Sequence, residues 1–421
     1  MISLIVAFLA CLCFCLLLRT GKAKNTPVRI VYFLIFIITL SSFISKIFFR
    51  MFHPEVWDFT CFYLYGNVAS KGYNFYLPGN FQAVYNSLNF PALLNIPQSD
   101  FSSFVTESVN VGFPYPPPTI LYFAPLGFLS YHSALILWTL FISLFAFACI
   151  YHIYSLFLKE YKINGLILTS ILFLVLGASK STVFYTQTDF ILLFLLLLMK
   201  KFSNNKIAGI FLALAIFTKP IMIIFGLYFL FRKKWNAIFY CIGCSIILVG
   251  FTIIFFGKEV FKSYLFNNSV SRLPKSAFFE DINQSLHSVL LRHNLISLDN
   301  PKVYMVIAIV ILSLTVVLLL YLLKNKLYDN IWSVLLLIGL LIYPGTLGHY
   351  GVLLLFIIPQ FFDKQNKLYF NPYINILLIC IFYLLMAFSV FSTICFLLLI
   401  VIYKSLNPGS LNKGNLTYIK H

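Results

Sequence analysis

The sequence predicts an all-α polytopic membrane protein, a bundle of about ten to thirteen helices with two long outer loops that contain short helices of their own. Three observations predict it. The chain is 61% hydrophobic and only 10% charged, against roughly 45–50% and about 25% in soluble domains. Apolar runs recur from Met1 to Ser405, with no long polar stretch between them that could fold as a separate soluble domain. The charges gather instead in short connectors. A soluble globule is therefore excluded, and 1–421 reads as a single integral membrane domain. Lys and Arg outnumber Asp and Glu by 30 to 12, but they form no basic face of the kind nucleic acid requires. The partner they indicate is the membrane surface.

The expected spans are 2–18, 29–49, 133–157, 163–179, 184–199, 207–231, 236–256, 302–323, 331–343, 349–362, 372–386 and 388–403. Residues 2–18 lack a basic start and a small-residue cleavage signature, so they read as a retained span and not a leader. Several runs fall short of the roughly 20 residues that cross a bilayer upright, which predicts broken or buried helices. Most of the nine cysteines lie inside apolar runs, where Cys acts as a small hydrophobe. The CxxC spacing of Cys241 and Cys244 has no other soft ligand nearby and reads as helix packing.

Charge sets the sides. If 19–28 is cytoplasmic, so are the basic connectors 159–162, 200–206, 232–234, 324–326 and 364–367 and the short tail 404–421, provided 207–231 starts and ends on one side. That side then holds 19 of the 30 basic residues, counting Arg29 at the start of the next span, and only Glu160, Asp329 and Asp363 among the acids. The long loops 50–118 and 257–301 consequently face out. Within 207–231, Lys219 and Pro220 sit at the centre of an apolar stretch. Proline breaks the backbone ladder, and a lysine at mid-depth is costly unless it lines a polar cavity. Two half-helices dipping in from the cytoplasmic side satisfy both; a single kinked span with a snorkelling lysine is the plainer alternative.

The first outer loop opens with MFHPEVWDFTCFYLYG. Asp58 follows a span closely and stands among Trp57, Phe59, Phe62 and Tyr63, where partial desolvation would suit a general base. Glu55 is its nearest acidic neighbour, and a solvated surface carboxylate is the plainer reading. No DxD or adjacent carboxylate pair occurs there, so neither a metal nor another cofactor is expected. Farther on, the proline run of GFPYPPPTILYFAPLGFLS is expected to be non-helical, a rigid extended approach to a short interfacial segment. In the second outer loop, Arg272, Lys275, Arg292, His287 and His293 suit an anionic head group, and Asn283 and Gln284 offer neutral hydrogen bonds. An amphipathic helix lying on the outer leaflet would have the same composition. His349 in YPGTLGHY, and Gln187 with Asp189 in FYTQTDF, complete the polar candidates near span ends.

Taken together, Asp58, Tyr73 and Tyr76 before Pro78, the FPYPPP run, Lys219-Pro220, Asn283-Gln284-Ser285 and Gly348-His349-Tyr350 resemble the GT-C polyprenol-phosphate-mannose-dependent mannosyltransferases of glycosyltransferase family 87. The similarity extends over most of residues 50–362. It implies a GT-C-like bundle in a bacterial plasma membrane with its active site on the extracytoplasmic face. It also implies transfer of a hexose, mannose by family analogy, from a polyprenyl-phosphate donor to a glycolipid or glycan hydroxyl, with inversion. Asp58 matches the family's catalytic carboxylate. Lys219, His349 and Arg292 are the cations suited to the departing phosphate, and Glu55, Tyr73, Tyr76, Tyr115, Gln187, Asn283 and Gln284 are the sugar- or acceptor-contact candidates. An extra helix before the catalytic loop and the short spans of the third quarter depart from the family picture. A lipid-linked glycan flippase or other transporter, an O-antigen polymerase or ligase, and a non-catalytic scaffold are the rivals. No internal repeat supports a transporter.

Overall fold

The computed structural model describes residues 2–19, 26–53, 58–88, 113–266, 278–279, 281–298, 300–363, 366, 368–369 and 371–407. Among them there is no strand, and the helices run in chain order as follows. The first four are α1 (Ile2–Arg19), α2 (Thr26–Phe52), α3 (Asp58–Ser70) and α4 (Pro78–Ser87). Next come α5 (Tyr131–Ile153), α6 (Lys162–Val175), α7 (Gly177–Phe184), α8 (Asp189–Lys201), α9 (Ala208–Thr218), α10 (Gly226–Phe231), α11 (Trp235–Phe256) and α12 (Glu259–Phe266). The last are α13 (Leu286–Arg292), α14 (Pro301–Lys324), α15 (Tyr328–Ile342), α16 (Pro372–Phe388) and α17 (Val390–Leu406). The helical stretches Thr26–Phe52, Tyr131–Val175, Trp235–Phe256 and Lys302–Lys324 are long and apolar enough to cross a membrane; shorter apolar helices accompany them. Most of the expected spans are thus found, within a few residues, as helices, while 163–179 is interrupted at Leu176, between α6 and α7. The run 349–362 is a chain of tight 3₁₀ turns, Gly348–Phe356 and Ile358–Phe361, in which Pro359 opens the second.

The chain folds as two compact units: residues 1–43, 149–180 and 281–421 form the first, and 44–148 and 181–280 the second. In the first unit α1 packs on α6 and α16, and α15 packs on α14 and α17. Phe14 meets Tyr161 and Phe362 edge-on, and the Tyr32 hydroxyl donates to the Asn164 carbonyl at 2.9 Å. Gly351 lies against the Met386 methyl and Ala178, where an added Cβ would stand 2.5 Å from the former.

In the second unit the helical hairpin α8–α9 packs on α11. Lys219 leaves helical geometry (φ −149°, ψ 121°), and a 3₁₀ stretch Pro220–Phe225 leads into α10. The start of α9 touches the start of α11: a Cβ on Gly209 would fall 1.8 Å from the Ala237 carbonyl oxygen, and the Lys206 ammonium lies 5.0 Å from the Tyr240 ring centre. Residues 206 and 234 therefore lie at the same end of the unit. The stretch between them goes out and returns as two half-helices broken at Lys219, as the charged lysine and the proline required. With 11 residues, α9 rises about 16 Å, half of a hydrocarbon core of about 30 Å.

The first long loop corrects one expectation. Pro117 and Pro118 are not extended: they open a 3₁₀ turn, Pro117–Thr119, that continues into the helical turn Ile120–Phe123 and a second 3₁₀ turn, Ala124–Phe128. The first positions of a helix need no N–H, so proline fits there and pre-sets φ. The preceding Phe113–Pro116 is non-helical.

Candidate active site

Asp58 is the first residue of α3 and is half-buried. An acidic residue in the first turn faces the partial positive charge of the helix N-terminus. The turns that follow are locked onto residues 113–131. Phe62, one turn after Asp58, stacks on Phe123 with ring centres 4.4 Å apart. Thr60 Oγ1 and the Tyr131 hydroxyl lie 3.0 Å apart, and the Tyr63 hydroxyl donates to the Leu129 carbonyl at 2.9 Å. Gly66 and Gly127 allow the backbones to touch, since a Cβ on either would come within 2.4 Å of a carbonyl oxygen of the other segment. Tyr76, fully buried, donates its hydroxyl to the Tyr115 carbonyl at 2.6 Å and packs with Phe75, Phe113 and Tyr264. Asn74 donates to Ser263 Oγ at 2.9 Å. The two long loops thus meet at one end of the unit, the arrangement expected if both face the same side.

The same end holds the helix break. Thr119 donates its hydroxyl to the Phe217 carbonyl, and the Tyr122 hydroxyl lies 3.1 Å from Thr218 Oγ1, so the end of the first loop grips the two residues before Lys219. Lys219 Nζ donates to Asp189 Oδ1 at 2.6 Å, with both side chains buried. Asp189 stands in the first turn of α8 and Lys219 caps the end of α9, so each charge faces the helix pole that stabilises it. Leading into Asp189, Thr186 has φ +52°, a strained conformation for a β-branched residue, and Trp138 Nε1 holds its carbonyl at 2.8 Å. Gln187 and Thr188 are buried, and Gln187 Oε1 and Thr188 Oγ1 have no hydrogen-bond partner among the described residues.

Asn283, Gln284, Arg292 and His349 belong to the first unit, where a clasp joins residues 281–292 to 343–349. Gln284 N donates to the Thr346 carbonyl at 2.7 Å, Gly348 N to the Ile282 carbonyl at 3.0 Å, and Asn283 Nδ2 to the Pro344 carbonyl at 3.0 Å. Arg292 donates to the Asn283 carbonyl at 2.8 Å and to Ser288 Oγ at 2.9 Å, and its Nε lies 3.6 Å from the Asp281 carboxylate. His349 is buried and stacks on Tyr350 at 5.1 Å. The structure therefore brings Asn283, Gln284, Arg292 and His349 into one clasp. Asn283 and Gln284 serve the clasp itself, for the Asn283 oxygen takes Ser285 and the Gln284 oxygen takes Ser389 at 2.8 Å. In the second long loop α13 covers Leu286–Arg292; His287 is buried against Tyr304, ring centres 4.2 Å apart, and burial lowers its pKa. Tyr73 is half-exposed at the surface. Glu55, Trp57, Arg272 and Lys275 lie outside the described residues.

Sequence reasoning named Lys219 and Asp189 but did not join them. The signal was available: a lysine deep in an apolar stretch needs a counter-ion, and Asp189 is the one acid just inside a span. Thr119, Tyr122, Trp138 and Thr186 gave no such signal, because their roles come from contacts made across the fold.

An all-helical membrane bundle that keeps a buried ion pair at a helix break, beside a loop helix headed by a carboxylate, suits chemistry at a membrane boundary. The sequence model of glycosyltransferase family 87 matches residues 113–344, more than half of the chain, and the chain belongs to that family. It is therefore a membrane glycosyltransferase. The matched segment contains Tyr115, Gln187, Asp189, Lys219, Asn283, Gln284 and Arg292; Asp58 and His349 fall outside it. No curated protein and no solved structure matches the chain.

Proposed function

We propose that the protein transfers a hexose, mannose by family analogy, from a polyprenyl phosphate to a hydroxyl of a glycolipid or glycan on the extracytoplasmic face of a bacterial plasma membrane, with inversion and without a metal. The acceptor oxygen attacks the anomeric carbon and its proton passes to Asp58. The bond from that carbon to the phosphate oxygen breaks, and the electron pair leaves with the polyprenyl phosphate. A lipid-linked sugar already has a good leaving group, so the enzyme chiefly supplies a base, a cation and position. The observation that carries this reading is the buried Lys219–Asp189 pair, a lysine held against a carboxylate in an apolar unit at the end where the helix of Asp58 is packed. Lys219 is the cation assigned to the departing phosphate, which would compete with Asp189 for it. Arg292 and His349 are further candidates for that task, and Gln187 and Tyr115 for sugar hydroxyls. Asn283, Gln284 and Tyr73 are weaker, because the first two are engaged in the clasp and the third is at the surface.

The test incubates purified full-length protein with polyprenyl-phosphate mannose and a panel of glycolipid acceptors, wild type beside Asp58→Asn. The expected result is release of free polyprenyl phosphate and an inverted glycoside by the wild type only. Full activity of a normally inserted Asp58→Asn protein would rule out the base, and a donor left unconsumed with every acceptor would rule out the reaction.

A further inference from the structure

At the end of the second unit away from the long loops, the two ends of the broken hairpin enclose an open pocket of about 320 Å³ lined by Asn204, Asn205, Lys206, Lys233, Lys234, Trp235, Asn236 and Ala237. The pocket is cationic. Lys200, Lys201, Lys206, Arg232, Lys233 and Lys234 surround it in sequence, and no Asp or Glu occurs anywhere from 190 to 258. The flanking acids sit at the far ends of the helices: Asp189 begins the 13-residue α8, whose other end carries Lys200 and Lys201, and Glu259 follows α11, a 22-residue helix of about 33 Å. Three asparagine amides add neutral donors of the kind that bind phosphate oxygens.

Two features favour a lipid over a soluble anion. The indole of Trp235 is exposed at the pocket rim, where interfacial tryptophans sit. From it an apolar stripe runs up the same face of α11 through Phe239, Ile242 and Ile246, all exposed and spaced three or four residues apart. A head group in the pocket would lay its acyl chains along that stripe. The basic connectors 200–206 and 232–234 are those that the charge rule assigns to the cytoplasm, the side on which anionic phospholipids attract basic clusters.

We propose that this pocket binds the phosphate head group of an anionic phospholipid of the cytoplasmic leaflet, at the base of the half-helices whose break carries Lys219. The site is separate from the transfer chemistry and does not depend on it.

The test reconstitutes the full-length protein in phosphatidylcholine nanodiscs containing increasing phosphatidylglycerol and counts retained lipids by native mass spectrometry. Wild type is compared with a Lys206→Gln/Lys233→Asn/Lys234→Gln variant, Asn being tolerant of the positive φ of Lys233. The expected result is at least a tenfold loss of phosphatidylglycerol affinity in the variant, with Lys262→Gln at the opposite end unchanged. Lys234→Glu alone, expected to weaken binding in the same direction, serves if the triple variant does not fold. Equal retention by wild type and variants, an equal loss in Lys262→Gln, saturation of the site by inorganic phosphate alone, or preference for polyprenyl phosphate over phosphatidylglycerol would each overturn the proposal.

Discussion

Lys219 and Asp189 form an ion pair of 2.6 Å between the last turn of one helix and the first turn of its hairpin neighbour, with side chains 1% and 0% exposed. Neither charge has access to water, so each depends on the other. Removing one partner of such a pair leaves an uncompensated buried charge, at a cost of about 3–5 kcal/mol. Lys219→Met and Asp189→Asn should each unfold well below the wild type in detergent melts, whereas Lys219→Met/Asp189→Leu should recover most of the stability. On the proposed mechanism the double variant stays inactive, because the phosphate finds no cation. Comparable melting of all four proteins would show that the pair contributes little.

Asp58→Asn keeps the size of the side chain and its place at the head of α3 while removing the proposed proton acceptor. Loss of a general base lowers turnover by roughly 10²–10⁴-fold. The thermal midpoint of the variant should stay within a few degrees of the wild type, so that lost transfer is separable from lost fold.

Gly66 and Gly127 set how closely α3 approaches the end of the first loop. An alanine at 127 would place its Cβ 2.4 Å from the Gly66 oxygen and 2.7 Å from Asn67 N, both backbone atoms that cannot turn aside. Gly127→Ala should therefore displace α3, lowering both stability and transfer, whereas Gly79→Ala, which meets nothing within 4 Å, should be silent in both.

Burial against Tyr304 lowers the pKa of His287 below its ordinary value of about 6.5. The folded state keeps the neutral ring while the unfolded chain takes up a proton first. Stability should consequently be full above the ordinary histidine pKa and fall on acidification until pH passes the lowered, folded-state pKa. His287→Gln should flatten that part of the stability–pH curve. A mildly acidic loss of equal size in the variant would assign it to another group.

Much of the fold was legible in the residues because hydrocarbon imposes a simple rule: apolar runs become helices, and a lysine followed by proline cannot continue one. The break at Lys219 and a hairpin that starts and ends at one end of its unit were one of the two readings that this rule and charge placement allowed, beside a single kinked span; that the two long loops touch was not among them. Asp58 was marked as a residue by its place after a span, and the family by the order of its motifs.

What only the tertiary structure decided were the pairings. Composition places Lys219 and Asp189 thirty positions apart and says nothing of the 2.6 Å between them. It proposed Asn283 and Gln284 as ligand contacts, yet the fold turns both toward backbone and serine partners in a clasp. It read Pro117 and Pro118 as extended, yet they begin a helical turn that delivers Thr119 and Tyr122 to the helix break. Local preference and hydropathy act over a few neighbouring residues, whereas the partner of a buried polar group is chosen by which distant segment packs against it.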